Sequence, residues 1–281
     1  MSRHNISVTF RAGFIVTALL SADAVQARSY QSEARFLHNS TSTDSNSSTS
    51  SDFVGVFYFS PINEAGPLAE ASFMARSSYV AASTGRREFD LLGANFDGDQ
   101  YSLGFGYIPS GTGLLLEASL YESHYSALGY VDMDVSASTV SLGMFMDNYT
   151  LIRFSYESAN SALTSFPDIT GNKIDVSFKK LIDNINIEAG YSNYDASDGV
   201  IVKVNTNIDL SGDYYIDNTL SVGAGYRHNS GDDAGDEGTT LLIRVVKFAS
   251  ETTRFKLSYG RFSGDAGNDS SNLSFSLAGR F

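Results

Sequence analysis

From Asp99 to the end of the chain, apolar residues fall on every second position in one segment after another. Tyr149 to Ala159 sets Ile152, Phe154 and Tyr156 against Arg153, Ser155 and Glu157. Gly171 to Leu181 sets Ile174, Val176 and Phe178 against Asp175, Ser177 and Lys179. Gly199 to Ile216 sets Val200, Val202, Val204, Ile208 and Leu210 against Lys203, Asn205, Asn207 and Asp209. Successive side chains of a strand point to opposite faces, so each segment is a strand with one greasy and one wet face. The connections alternate short and long. The short ones are Pro61–Gly66, Ser110–Thr112, Asp147-Asn148, Ile182–Asn184, Asp217-Asn218 and Ser250-Glu251. The long ones are mostly polar, Gly-rich or acidic. This pattern predicts fourteen antiparallel strands in up-and-down order, with twelve or sixteen as alternatives.

The first third of the chain is less regular. Tyr30 to His38 reads as a modest strand, and the Ser/Thr/Asn run from Asn39 to Ser51 as an exposed loop. Asp52 to Phe59 is a strand apolar on both faces. Leu68 to Ala82 reads as a long strand with Ala71, Phe73 and Tyr79 outward and Glu70, Ser72 and Arg76 inward. Ser83 to Gly98 does not alternate cleanly. It reads as a long loop with strand extensions, or else as an extra hairpin. Pro61, Pro67, Pro109 and Pro167 all fall in connections or at strand ends, where a missing N–H costs no ladder bond.

Short turns on one side and long loops on the other match a transmembrane β-barrel, with turns periplasmic and loops extracellular. No internal run approaches the roughly 18 apolar residues of a membrane helix, which says nothing against a membrane built of strands. Tyr156, Tyr191, Tyr226 and Tyr259 are outward residues near the extracellular ends of up-going strands, as an interfacial aromatic girdle requires. A soluble β-sandwich has no reason to align them. The closing strand, Ser270 to Phe281, places Leu273, Phe275, Leu277, Gly279 and Phe281 on one face. A final Phe suits an anchor at the lipid–water boundary. It also resembles the closing strand of bacterial outer-membrane barrels, in which that residue is an assembly signal.

The N-terminus reads as a targeting segment. Arg3, His4 and Arg11 precede the short apolar core Ala12 to Leu20, and Val25-Gln26-Ala27 suits cleavage after Ala27, with Ala24 a second candidate. The expectation is a signal peptide over 1–27 and a barrel over 28–281. The alternative is an N-terminal amphipathic helix. The net charge of −13 leaves no basic footprint for nucleic acid, and the absence of Cys removes disulfides and thiolate metal sites. No metal or cofactor site is expected.

At Tyr58-Phe59-Ser60-Pro61-Ile62-Asn63, then Gly66-Pro67-Leu68-Ala69-Glu70-Ala71 and Phe73, the sequence resembles the putative general bacterial porins of Gram-negative bacteria. An early Tyr30-Gln31 fits as well. The local match covers residues 29 to 80, and the rest agrees in layout. The resemblance implies an outer-membrane channel for small hydrophilic solutes and the barrel assembly machinery as a partner. General porins are often homo-oligomers.

The period-two register assigns Arg76, Arg153, Lys179, Lys203, Arg227, Arg244, Arg254, Lys256 and Arg280 to the lumen as cations. Glu70, Glu117, Glu157, Asp175, Glu188, Asp209 and Asp213 face it as anions. The wall is mixed and slightly basic, and the negative excess sits in loops such as Asp232, Asp233, Asp236 and Glu237. Arg244, Arg254, Lys256 and Arg280 lie on three consecutive strands. They form either a stripe that attracts anionic solutes or braces that pair with carboxylates across the lumen. The acidic loop is either a solvated loop or a site where divalent cations bridge to lipopolysaccharide. The histidines His38, His124 and His228 fall near strand ends, and a surface His–Ser pair of an outer-membrane enzyme has no spacing motif to support it. A passive porin, a non-conducting adhesin-type barrel and an outer-membrane enzyme are the three functional readings.

Overall fold

Fourteen strands close in chain order into one antiparallel barrel, with β1 paired to β14. The computed structural model describes residues 29–281 except 44–45, 64–65, 92–93, 128–130, 165–166, 199–201, 232–236 and 266–268. The expected signal peptide, Val200, Asp232, Asp233 and Asp236 lie outside the described residues. The strands are β1 Ser29–Thr43, β2 Ser47–Asn63, β3 Tyr79–Leu91, β4 Ala94–Tyr107, β5 Leu114–Ala127, β6 Val131–Asp147 and β7 Thr150–Leu163. They continue as β8 Ile169–Ile182, β9 Ile185–Ser197, β10 Val202–Asp217, β11 Leu220–Gly231, β12 Gly238–Phe248, β13 Thr253–Gly264 and β14 Ser270–Arg280.

Closure is made by the end of the chain. Phe281 O accepts from Gln31 N at 2.7 Å and Ser32 N at 3.0 Å, and Phe281 N donates to Ser32 O at 2.9 Å. With an even strand count, β1 begins and β14 ends at the same rim, here the terminal rim; the opposite one is the distal rim. The period-two register holds through the regular part. Leu241, Ile243 and Val245 on β12, and Leu273 and Phe275 on β14, are exposed on the outside, while Leu242, Arg244 and Ser276 between them turn inward. None of the described residues packs over that apolar outer surface, which suits it to face lipid.

Two expectations fail for one reason. Asn39–Ser51 is not a loop: β1 runs to Thr43, β2 starts at Ser47, and the ladder continues through Asn39↔Ser50 and Ser42↔Ser47. Of Ser83–Gly98, the strand extensions are present and far longer than expected, and no extra hairpin is inserted among the described residues. β3 and β4 run through it, with Arg87↔Gly98 and Phe89↔Phe96 paired. A strand needs only about 9–11 residues to cross a bilayer, whereas β2 has 17 and β6 has 17. The excess stands beyond the lipid at the distal rim. There the outer face needs no apolar residues, so the alternation disappears from the sequence while the backbone ladder goes on.

Leu68–Ala82 is the larger correction. Leu68–Glu70 is a 3-10 turn and Ala71–Ala75 a short helix, α1. β3 begins only at Tyr79. Positive φ at Gly66 (72°) and at Arg76 (51°) brackets the segment. Left-handed backbone at both ends turns the chain out of the wall and back into it. The strap between them, residues 66–78, folds into the lumen. Ala71 is fully buried and packs with Tyr30, Tyr58 and Ile62 inside the barrel, and Val56 and Tyr79 complete the cluster. Ala71, Phe73 and Tyr79, expected on the lipid face, therefore lie inside. Glu70 and Arg76 belong to the strap and not to the wall. The one long connection among the tight turns is at the terminal rim, opposite to where long loops were expected.

Candidate functional site

The inward face lines two cavities of about 730 and 740 Å³, each wide enough for many waters. The first is lined by Arg153, Lys179, Glu188, Asp209, Arg227 and Arg244, among others. The second is lined by Tyr79, Glu117, Tyr121, Glu157 and Lys173 with small residues such as Ser102, Gly104 and Ser119. Arg153 and Asp175 border both, so the two are lobes of one lumen. The small inward residues keep it open: a Cβ added at Gly104 would meet nothing closer than 3.7 Å.

At the terminal rim the lumen is crossed by the strap. Glu70 reaches the far wall, where Tyr215 Oη donates to it at 2.5 Å and Lys179 Nζ stands 2.7 Å away. Lys179 also contacts Glu188 at 3.0 Å, and Asn186 donates to Glu188 at 3.0 Å. Lys179 Nζ lies 4.9 Å from the centre of the Phe73 ring, which packs at 5.8 Å on Phe145. Leu68 N donates to Asn218 O at 3.0 Å, and Arg76 donates to Asp147 O with its guanidinium over Phe145. Through these contacts the strap is tied to β6, β8, β10 and the turns after β6 and β10, opposite its own origin between β2 and β3.

A second network braces the near wall. Glu33, 2% exposed, receives Arg35, Arg254 at 3.3 Å and Arg280 at 3.2 Å. Arg280 also donates to Leu68 O at 2.9 Å and lies between the rings of Tyr30 and Phe248 at 4.6 and 4.7 Å. Arg244 holds Asp213 through two nitrogens, with Nε at 2.6 Å. Such groups are stable in a low-dielectric interior only when paired and hydrogen-bonded.

The wall residues expected in the lumen fall as follows. Arg153 sits 3.5 Å from Glu117, which also accepts from Tyr79 at 2.5 Å. Lys179 and Glu188 join the strap network with Glu70; Arg254 and Arg280 join Glu33; Arg244 pairs with Asp213. Lys203 lies on the exposed distal stretch of β10, away from the rest. Lys256 faces inward between the exposed Phe255 and Leu257, and makes no ion pair or hydrogen bond among the described residues. The tyrosines Tyr156, Tyr191, Tyr226 and Tyr259 all point outward and are exposed. Sequence reasoning missed Glu33, Arg35 and Tyr215. Glu33 and Arg35 stand on alternate positions of β1, a signal present in the sequence but lost in a weak strand. Tyr215 sits next to the outward Tyr214, and only register separates the two.

Outside the membrane-crossing part, on the distal outer surface, Glu122 and His124 interrupt the apolar run of β5, and His124 Nδ1 meets Asp134 at 2.5 Å. The Asp134 carboxylate raises the His124 pKa above its ordinary value against a smaller desolvation effect. The tight turns share another device. Asp147 accepts from Tyr149 N and Asp217 from Thr219 N and Oγ1, and these bonds lower both carboxyl pKa values.

The family model for the putative general bacterial porin matches residues 8–281. No curated protein matches the chain. Among solved structures, the Acinetobacter baumannii outer membrane protein Omp33 is similar at 18% identity, covering 90% of this chain and 99% of that one with a TM-score of 0.54. CymD, a monoaromatic hydrocarbon channel, is similar at 8% identity over 91% and 90% of the two chains, TM-score 0.61. A loop-deletion mutant of the Vibrio cholerae outer membrane protein OmpT gives 8% identity over 91% and 100%, TM-score 0.50. At such identities these likenesses concern the fold. A family match over nearly the whole sequence, a closed barrel with a greasy exterior and a roomy, polar lumen together place this chain in the putative general bacterial porin family, an outer-membrane channel for small solutes.

Proposed function

We propose that the barrel is a passive diffusion channel whose narrowest point is the strap 66–78 at the periplasmic rim, and that it mildly favours anions. The observation that carries this reading is the strap itself: a short helix inside the lumen, tied to the far wall through Glu70 and to the near wall through Arg280. Solutes entering from outside meet the two wide lobes first and the strap last. The anion preference is supported by the guanidinium groups gathered at that neck, where three of them share Glu33. Pore-lining roles fall to Arg153, Lys179, Arg244, Arg254, Lys256, Arg280, Glu70, Glu117 and Glu188. Lys203 acts farther out, in the vestibule.

The outward tyrosines fit an interfacial girdle, and Phe281, 40% exposed at the seam, fits both an anchor and a signal to the barrel assembly machinery. Lipopolysaccharide is the neighbour of the charged outer surface around His124. The barrel acts by conducting and not by catalysis. His38 does approach Ser51, Nδ1 to Oγ 2.9 Å, in mid-strand on the outer surface. No carboxylate or amide among the described residues orients the other ring nitrogen, so the pair lacks the third member a nucleophile needs.

The strap also favours a second reading, a closed barrel that works through its extracellular surface. Single-channel recording of the refolded protein in a planar bilayer separates the two. Stable open steps with a reversal potential toward anions are expected. A folded barrel that never conducts would overturn the channel reading and leave the surface role.

A further inference from the structure

Lys256 stands out because every other inward cation of the periplasmic neck has a partner. It lies on β13, two residues from Arg254 on the same face, and its ladder neighbours are Val246 and Ser276. Arg244 is its diagonal neighbour on β12. Arg244 is matched by Asp213. Arg254 has only a share of Glu33, which also serves Arg35 and Arg280. A carboxylate shared three ways cannot neutralise each guanidinium in full. Lys256 is thus a half-buried ammonium at membrane depth, flanked by two cations, with the hydroxyl residue Ser276 across the ladder and no carboxylate within ion-pair distance among the described residues. An ionisable group in that setting needs a partner, and the lumen supplies one from solution.

We infer that Lys256 is an anion-binding subsite that a small carboxylate-bearing solute occupies in transit, with Arg244 and Arg254 supplying the surrounding positive potential. The inference deepens the proposed anion preference and rests on it. Asp213 and Glu33 engage the two arginines, so at Lys256 a solute carboxylate completes the set by a charge-assisted hydrogen bond. The held anion must also leave. A single lysine is suited to that, since a point charge gives weaker geometric capture than a bidentate arginine.

Two measurements test the subsite. In the first, citrate is titrated onto the refolded barrel in detergent with its lysines 13C-methylated. The Lys256 methyl resonance, assigned with Lys256→Arg, should shift saturably and more than that of the surface Lys247. An equal or absent shift overturns the subsite whether or not the barrel conducts. In the second, the chloride-to-potassium permeability ratio should fall about two- to threefold in Lys256→Gln, the order expected for losing one salt-screened unit charge beside an aqueous path. Lys256→Arg should restore it. An unchanged ratio in the Gln variant overturns the inference while leaving the channel reading intact. Absence of any current overturns the channel reading alone, and the citrate titration then decides the subsite.

Discussion

The two ends of the lumen use the same charged residues under different physical conditions. At the periplasmic neck, Glu33 and Arg280 are each 2% exposed, and Glu70 is 4% exposed. At the extracellular end, Arg227 pairs with Asp209, yet both side chains keep more than a third of their surface in water. An exposed pair is worth little, because water and salt screen it and two long side chains must be immobilised. A buried carboxylate holding several guanidinium groups cannot be removed cheaply, because the groups left behind are charged and desolvated. The neck is therefore a structural element built from charges, and the vestibule is a wet space lined with them.

That contrast can be broken most directly at Glu33. Glu33→Gln strips the carboxylate from three arginines, and chemical unfolding in detergent micelles should show a loss of about 3 kcal/mol or more. An unchanged midpoint would mean that water already reaches the cluster. Glu70→Gln should cost less, about 1–3 kcal/mol in the same assay. Tyr215 keeps an acceptor there and Lys179 keeps Glu188. On the extracellular side, Arg227→Gln should stay within about 1 kcal/mol of wild type. A loss as large as that of Glu33→Gln would erase the distinction between the ends.

The smallest expected effect is a pH dependence. His124 has a folded pKa raised by Asp134, so its contribution is complete below the ordinary value of 6.5 and fades as pH rises through the folded value. The His124 ring is 63% exposed, which keeps the effect small. An NMR titration should place the His124 midpoint above that of an unpaired histidine, and Asp134→Asn should bring it down. A midpoint that ignores Asp134 would remove the ion pair from the account.

Legibility in the sequence follows the same division. Strands β4 to β14 could be read because lipid imposes apolar residues on one face and leaves the other free, and Leu241, Ile243 and Val245 carry that signature openly. Where the wall rises beyond lipid the constraint is gone, so Thr41, Ser48 and Arg87 build ladder without alternation. The strap was hidden for a different reason. Ala71 and Phe73 repeat at a spacing of two by coincidence, and the residues that turn the chain are Gly66 and Arg76, of which only the first announces positive φ. Of the neck charges, Glu70, Lys179, Arg254 and Arg280 were legible, whereas Glu33, Arg35 and the pairing were not. Glu33 and Arg280 are 247 residues apart in sequence and meet only because the barrel closes.

If residues 66–78 set the size of the pore, removing them must widen it. Replacing 68–75 with a short Gly-Ser linker and recording single channels beside the wild type tests it, with folding checked by the strand signal in circular dichroism. A folded barrel whose unit conductance is several-fold higher is expected. An equally folded barrel with wild-type conductance would contradict it and move the constriction elsewhere in the lumen.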